Sequence, residues 1–170
     1  RQPVGKLIKL LFFLQKGPTS EVSKSIKIMT KIKTPEEILE QQTPPGKWLY
    51  KRFLKINELY EQLLAQAKKQ VSRSPILLFH YTDSQWSFTA NLANELAALY
   101  PQKVVIIARE KSGEMKCSVR AQFPILPALE KALVGVEGRG GGHPQACGVV
   151  VKKDDWDRFL DNFKRELKAV

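Results

Sequence analysis

Residues 137–148 read EGRGGGHPQACG and hold half of the chain's ten glycines with one of its two histidines. Glycine has no Cβ, so a run such as Gly140-Gly141-Gly142 lets successive backbone N–H groups approach an anion closely and turn toward one point. A helical turn after the run would add its N-terminal donors. His143 donates a hydrogen bond while neutral and adds charge when protonated, and Arg139 is a permanent cation. A phosphate is the natural occupant. The segment lacks the Lys-Ser/Thr of a P-loop and does not fit the dinucleotide fingerprint. A tight turn or a plain flexible loop is the other reading of the same glycines. Arg120 is the second candidate, on the polar side of the alternating segment Glu114 to Ala121. If that side lines a cleft, Arg120 forks onto a phosphate or carboxylate; otherwise it is an exposed arginine without a partner.

Other constellations carry less. Cys117, Cys147 and His143 lack the paired spacing of a zinc site, and Cys117 shares an apolar side with Met115 and Val119, which makes it core. Cys147 with His143 as nucleophile and base finds no further support. Asp154, Asp155, Asp157 and Asp161 space like a capped helix face rather than a metal site. His80 ends an apolar run and reads as a structural histidine. Trp48, Tyr50, Tyr81, Trp86 and Phe123 are not all absorbed by helix stripes. Trp86 is the best platform for an unpaired base, where stacking contributes roughly 1–3 kcal/mol.

The elements that must position these residues fall into two styles. Residues 1–46 read as helices: Val4 to Leu14 too apolar all round to stand alone, Glu21 to Ile32 with an alternating IKIMTKIK that also admits a strand, and a helix start at Thr34-Pro35-Glu36-Glu37. Thr43-Pro44-Pro45-Gly46 is expected to stop the chain. Residues 47–74 form a long linker helix to about Gln70, with Leu49, Phe53, Ile56, Tyr60, Leu63 and Ala67 on one stripe. Ser72-Arg73-Ser74-Pro75 marks a boundary. In residues 75–170, Ile76 to Tyr81 and Lys103 to Arg109 read as buried strands, separated by a helix that Thr82-Asp83-Ser84 caps and that runs to about Tyr100. An alternating strand, a helix from Phe123-Pro124 to about Val134, the glycine loop, a short strand at Val149 to Val151 and a last helix capped by Asp154 follow. The fold class is α/β: a helical N-terminal part with a long linking helix, then a compact α/β domain with a small mixed sheet.

Composition narrows the partners. The 170 residues carry a net charge of +11, most of it in the first 70, which favours a polyanionic partner over solvated lysines alone. The longest apolar run, Leu10 to Leu14, is far short of the roughly 20 residues of a membrane span. No cleavage-type signal follows it, so the expected location is the cytoplasm, without membrane attachment. The chain starts at Arg1 and reads as a fragment or a processed chain.

A strand–helix–strand–hairpin order, an arginine on the hairpin's second strand and then GRGGGHPQACG resemble the C-terminal accessory domain of the DHH phosphoesterase superfamily. The RecJ-like single-strand nucleases, with a GGGHPxAAG-like segment, are its most similar members. The match covers roughly Ile76 to Leu167; Cys147 stands where the second alanine usually does. The resemblance implies a substrate-binding half of a metal-dependent exonuclease on single-stranded DNA or RNA. In that family the domain closes over a separate catalytic domain. Arg120, Arg139, Gly140, Gly141, Gly142 and His143 would then hold the phosphate, with His143 also assisting catalysis. Manganese or magnesium would belong to a DHH catalytic domain or subunit, since this chain has no Asp-His-His triplet and binds no metal of its own. It is therefore expected not to cleave alone. A non-catalytic replication scaffold, and an RNA-binding accessory domain of the alanyl-tRNA synthetase type, stay open as alternatives.

Overall fold

The computed structural model describes residues 3–82 and 85–169. The chain divides into two compact units, Arg1–Leu63 and Leu64–Val170. No helix among the described residues is long and apolar enough to cross a membrane.

The first unit is helical: α1 (Pro3–Leu14), α2 (Thr19–Met29), α3 (Pro35–Leu39) and α4 (Pro44–Lys69), the last running on into the second unit. Leu10, Phe13 and Leu14 of α1 are buried, as are Leu49, Phe53, Ile56 and Tyr60 of α4. The all-round apolarity of α1 is nevertheless only half used, because Val4, Ile8 and Phe12 stay 65%, 50% and 59% exposed. The alternating stretch in α2 folds as helix and not as strand. Glu37 reaches back to the Lys33 and Thr34 amides (2.9 and 3.2 Å), the reciprocal cap the sequence announces. Thr43-Pro44-Pro45-Gly46 does not stop the chain as expected. It starts α4: Thr43 Oγ1 accepts the Gly46 N–H (3.2 Å), and the two prolines sit in the first turn, where no N–H is needed. Arg52 clips this unit together, donating to Glu21 Oε2 and the Lys16 carbonyl, both at 2.7 Å.

The second unit is a five-stranded mixed sheet in the order β1-β2-β3-β5-β4. Its strands are β1 (Ile76–Thr82), β2 (Val104–Lys111), β3 (Glu114–Arg120), β4 (Gly138–His143) and β5 (Ala146–Lys152). β1 and β2 run parallel, joined through helix α5 (Thr89–Leu99), and every other pairing is antiparallel. Helices α6 (Leu126–Ala132) and α7 (Trp156–Leu167) complete the order. Alternation sends Met115, Cys117, Val119, Cys147, Val149 and Val151 to one face, where Leu129 of α6 and the stacked rings of Trp156, Phe159 and Phe163 of α7 complete the main core. On the other face α5 packs against β2 and β3. The part of that face formed by β5 and β4 carries the exposed residues discussed next.

Of three local expectations, the cap at Asp83 and Ser84 after β1 lies outside the described residues, while α5 itself begins at Thr89. The other two change. His80 is not a buried structural residue: it is exposed on β1, an edge strand of the sheet. Asp154 does not cap α7. Lys153–Asp155 form a single 3-10 turn, and the Asp155 carboxylate accepts the Glu137 N–H (2.6 Å) while pairing with Arg158 (3.2 Å).

Candidate functional site

The glycine segment is a strand, not a loop. Gly138–His143 forms β4 at the edge of the sheet, paired along its length with β5 and closed by the two-residue turn Pro144-Gln145. That turn is docked: the Pro144 carbonyl accepts from the Ile125 N–H (2.7 Å) and the Gln145 carbonyl from the Ala121 N–H (3.1 Å). Successive N–H groups of a strand lie in the sheet plane and point to opposite edges. The amides of Gly140 to Gly142 therefore cannot converge on one anion as the sequence reading expects. Alternate ones serve the ladder with β5; the others face the open edge.

What the glycines supply instead depends on the position. A Cβ at Gly140 would meet Val149 Cγ2 at 2.8 Å and Leu129 Cδ2 at 3.1 Å, so this glycine exists for packing on the core. Gly142 has a φ of +141° and would place a Cβ 2.5 Å from the Ala146 carbonyl oxygen, so it serves the turn. Gly141 is different. A Cβ there meets nothing within 4 Å, and its cross-strand partner Gly148 would meet only the Cys117 carbonyl at 3.9 Å. Neither the backbone nor the packing of this chain requires a glycine at either place. Together they leave a bare floor with open space above it.

Register shows what surrounds the floor. Across β3, β5 and β4, Ser118, Gly148 and Gly141 form one row. On one side lies the row Lys116, Val150 and Arg139; on the other lies Arg120, Ala146 and His143. The floor and the first of these rows line an open groove of about 390 Å³, with Thr89 of α5 at its rim. Lys116 and Arg139 are exposed cations. Arg120 is held rather than loose: Nε donates to Asn94 Oδ1 (2.7 Å), and Nη1 to the Val119 and Cys147 carbonyls (2.9 and 3.3 Å). Burial lowers its pKa, and these hydrogen bonds hold the guanidinium in place with Nη2 left over. His143 is exposed at the end of β4, on the face of the floor and outside the groove itself.

Of the residues the sequence singles out, Arg139, Gly140 and Gly141 line the groove, while Arg120, Gly142 and His143 lie next to it along the strands. Trp86 does not join them; only 5% exposed, it is part of the core and no platform for a base. Cys117 and Cys147 are buried and free; burial pushes the Cys117 thiol up to about 12 and the Cys147 thiol upward as well, so neither is a thiolate. Among the described residues, no three His, Cys, Asp or Glu side chains gather to hold a metal ion. The groups present do not fit a two-metal centre. Two groove residues escape the sequence reading. Lys116 shares the alternating polar side with Arg120 and was findable on that ground, and Gly148 closes the glycine segment itself.

A bare sheet floor between cations, built by a GRGGGH hairpin, coincides with a family match: the DHHA1 domain model covers residues 76–169, more than half of the chain. This chain belongs to the DHHA1 domain family. Solved structures share the fold of the DHHA1 chain. RecJ from Thermus thermophilus in complex with Mn²⁺ is similar over 74% of this chain and 20% of its own, at 17% identity and a TM-score of 0.57. A further structure of exonuclease RecJ bound to manganese is similar over 76% of this chain and 34% of its own, at 18% identity and a TM-score of 0.55. The pGpG-specific phosphodiesterase PggH from Vibrio cholerae is similar over 94% of this chain and 58% of its own, at 18% identity and a TM-score of 0.54. The DHHA1 chain thus spans between a fifth and somewhat over half of these proteins. No curated protein matches it.

Proposed function

We propose that this chain is the substrate-binding half of a RecJ-like, metal-dependent phosphodiesterase acting on single-stranded DNA or RNA. The observation that carries the reading is the Gly141–Gly148 floor, where the chain leaves room it does not itself use between Lys116, Arg139 and Arg120. A phosphate seated there meets the hydrogens that replace each Cβ, and the cations neutralise it. Lys116 and Arg139 supply attraction that weakens with salt. Arg120, already locked by Asn94, adds charge without a cost of ordering. His143 stands one row away and donates to the adjoining phosphate oxygen. The metals, manganese or magnesium, and the attacking water belong to a DHH catalytic domain on another segment or subunit. The exposed stripe of Val4, Ile8 and Phe12 fits a helical unit that packs on such a partner.

The test joins the chain to its DHH catalytic domain in manganese and follows mononucleotide release from end-labelled single strands. We expect His143→Ala to lower turnover by about 10²-fold or more while far-UV circular dichroism stays unchanged. Unchanged turnover removes the hairpin from the mechanism, and tight binding with no release by the wild-type pair favours a scaffold. A second reading, cleavage of dinucleotides rather than long strands, draws on PggH, whose likeness extends over 94% of this chain and so into its helical part. Release from pGpG exceeding release from a long oligonucleotide selects it.

A further inference from the structure

We propose that Glu137, with Glu114 beside it, forms a base-reading subsite two strand steps along the sheet from the phosphate floor, and that it selects guanine over thymine or uracil. The proposal rests on the phosphate reading above and adds to it the identity of a nearby base.

The observation is a second hollow of about 240 Å³ that shares Arg139 and Val150 with the groove and is otherwise lined by Glu114, Glu137, Gly138 and Lys152. The register sets Glu114 opposite Lys152. Lys152 N in turn donates to the Glu137 carbonyl (2.9 Å), so Glu114, Lys152 and Glu137 make one more row on the same face. That row is four residues along β4 from Gly141, with Arg139 midway. Each two-residue step of a strand is about 6.8 Å, close to the reach of one extended nucleotide, so the two steps span about 13.6 Å. With a phosphate above the floor, the base of the second nucleotide along, past Arg139, falls over this hollow.

Carboxylates are out of place in a trough meant only for phosphates, because each repels the backbone that the neighbouring cations attract. Glu114 is explained by Lys116 (3.7 Å) and Lys152 (4.0 Å). No ion pair or hydrogen bond holds the Glu137 carboxylate among the described residues, and its side chain is exposed. Its backbone, however, is fixed from both sides, its N–H by Asp155 Oδ2 (2.6 Å) and its carbonyl by Lys152 N. An exposed carboxylate on a fixed backbone that serves no internal partner is an acceptor pair for donors from outside. Guanine offers two parallel N–H donors on its Watson–Crick edge, which a carboxylate takes bidentately. Thymine and uracil place a carbonyl oxygen on each side of a single N–H and are repelled.

The full chain and labelled thymidine hexamers, with and without one central guanine, test this by fluorescence anisotropy at low salt. Wild type is expected to bind the guanine-bearing hexamer about tenfold tighter. Glu137→Ala brings the ratio to near one and tightens the all-thymine hexamer, since a repelling charge is gone. Glu137→Gln, of the same shape, moves the preference to adenine, whose N6 and N7 suit a carboxamide. A wild-type ratio near one, or a ratio that survives Glu137→Ala, overturns the subsite. Arg139→Ala separates the two levels: it should weaken both hexamers alike, and if it weakens neither, the phosphate reading falls and this inference with it.

Discussion

Gly141→Ala puts the floor to its most direct test, because stability and binding should move in opposite directions. Glycine within a strand costs about 0.5–1 kcal/mol relative to alanine through the entropy it loses on folding. The new Cβ meets no atom within 4 Å, so nothing offsets that gain. The second unit should therefore melt a few degrees higher, since about 1 kcal/mol moves the midpoint by ~4–8 °C in a domain of this size. The same methyl group occupies the place of the ligand. It removes the Cα–H contacts from Gly141 and shields those from Gly148, about 0.5–1 kcal/mol each. It also lifts the phosphate away from Lys116 and Arg139. Affinity for a single-stranded oligonucleotide should drop by roughly 5- to 30-fold, at ~1.4 kcal/mol per tenfold. Gly140→Ala is the control: its Cβ collides with Val149 and Leu129, so it should lower the melting point. Differential scanning fluorimetry and anisotropy on both variants suffice. A Gly141→Ala chain that is more stable and binds as well as wild type refutes the argument, because the empty space would then have no occupant.

In the helical unit, Arg52→Ala should cost about 1–3 kcal/mol, as Glu21 and the Lys16 carbonyl lose their donor; a urea titration of wild type and variant measures it. Cys117 is a linkage prediction. Its folded value of about 12 lies above the ordinary 9.0, so the protonated thiol's contribution is complete below 9.0 and fades as pH climbs toward 12. The fall in urea midpoint between about pH 8 and about pH 10.5 should shrink in Cys117→Ala. Lys103 is buried, and its ammonium donates to the Ser72 and Ser74 carbonyls, so Lys103→Met should speed amide exchange at residues 72–76 without unfolding the sheet.

Strong periodicity was legible in the sequence, and conformation that depends on pairing was not. Lys103 to Arg109 and the alternation of Glu114 to Arg120 are written in apolar pattern, and both strands formed where that pattern put them. The Thr34–Glu37 cap is equally local. β4 could not be read in this way. Glycine is depleted from strands, so four glycines in Gly138 to His143 announce a loop, and only the ladder offered by β5 makes them a strand. Trp86 misleads for a related reason: residue type marks it as a platform, while its burial depends on packing that no local pattern encodes. The division of labour among Gly140, Gly141 and Gly142 needs the positions of Leu129, Val149 and Ala146, which are remote or across the turn. The chemistry was visible in the residue types, and the sheet decided which of them share a face.

An open strand at the border of a sheet normally invites a second copy to zip onto it. β4 is such a border, yet it is built mostly of glycine, a residue ill suited to extended pairing, with a charged Arg139 near its start. The same bareness that keeps a seat free for a guest also makes the rim a poor template for self-association. Bulky β-branched replacements along β4 should thus carry a colloidal penalty in addition to any lost binding, visible as concentration-dependent light scattering.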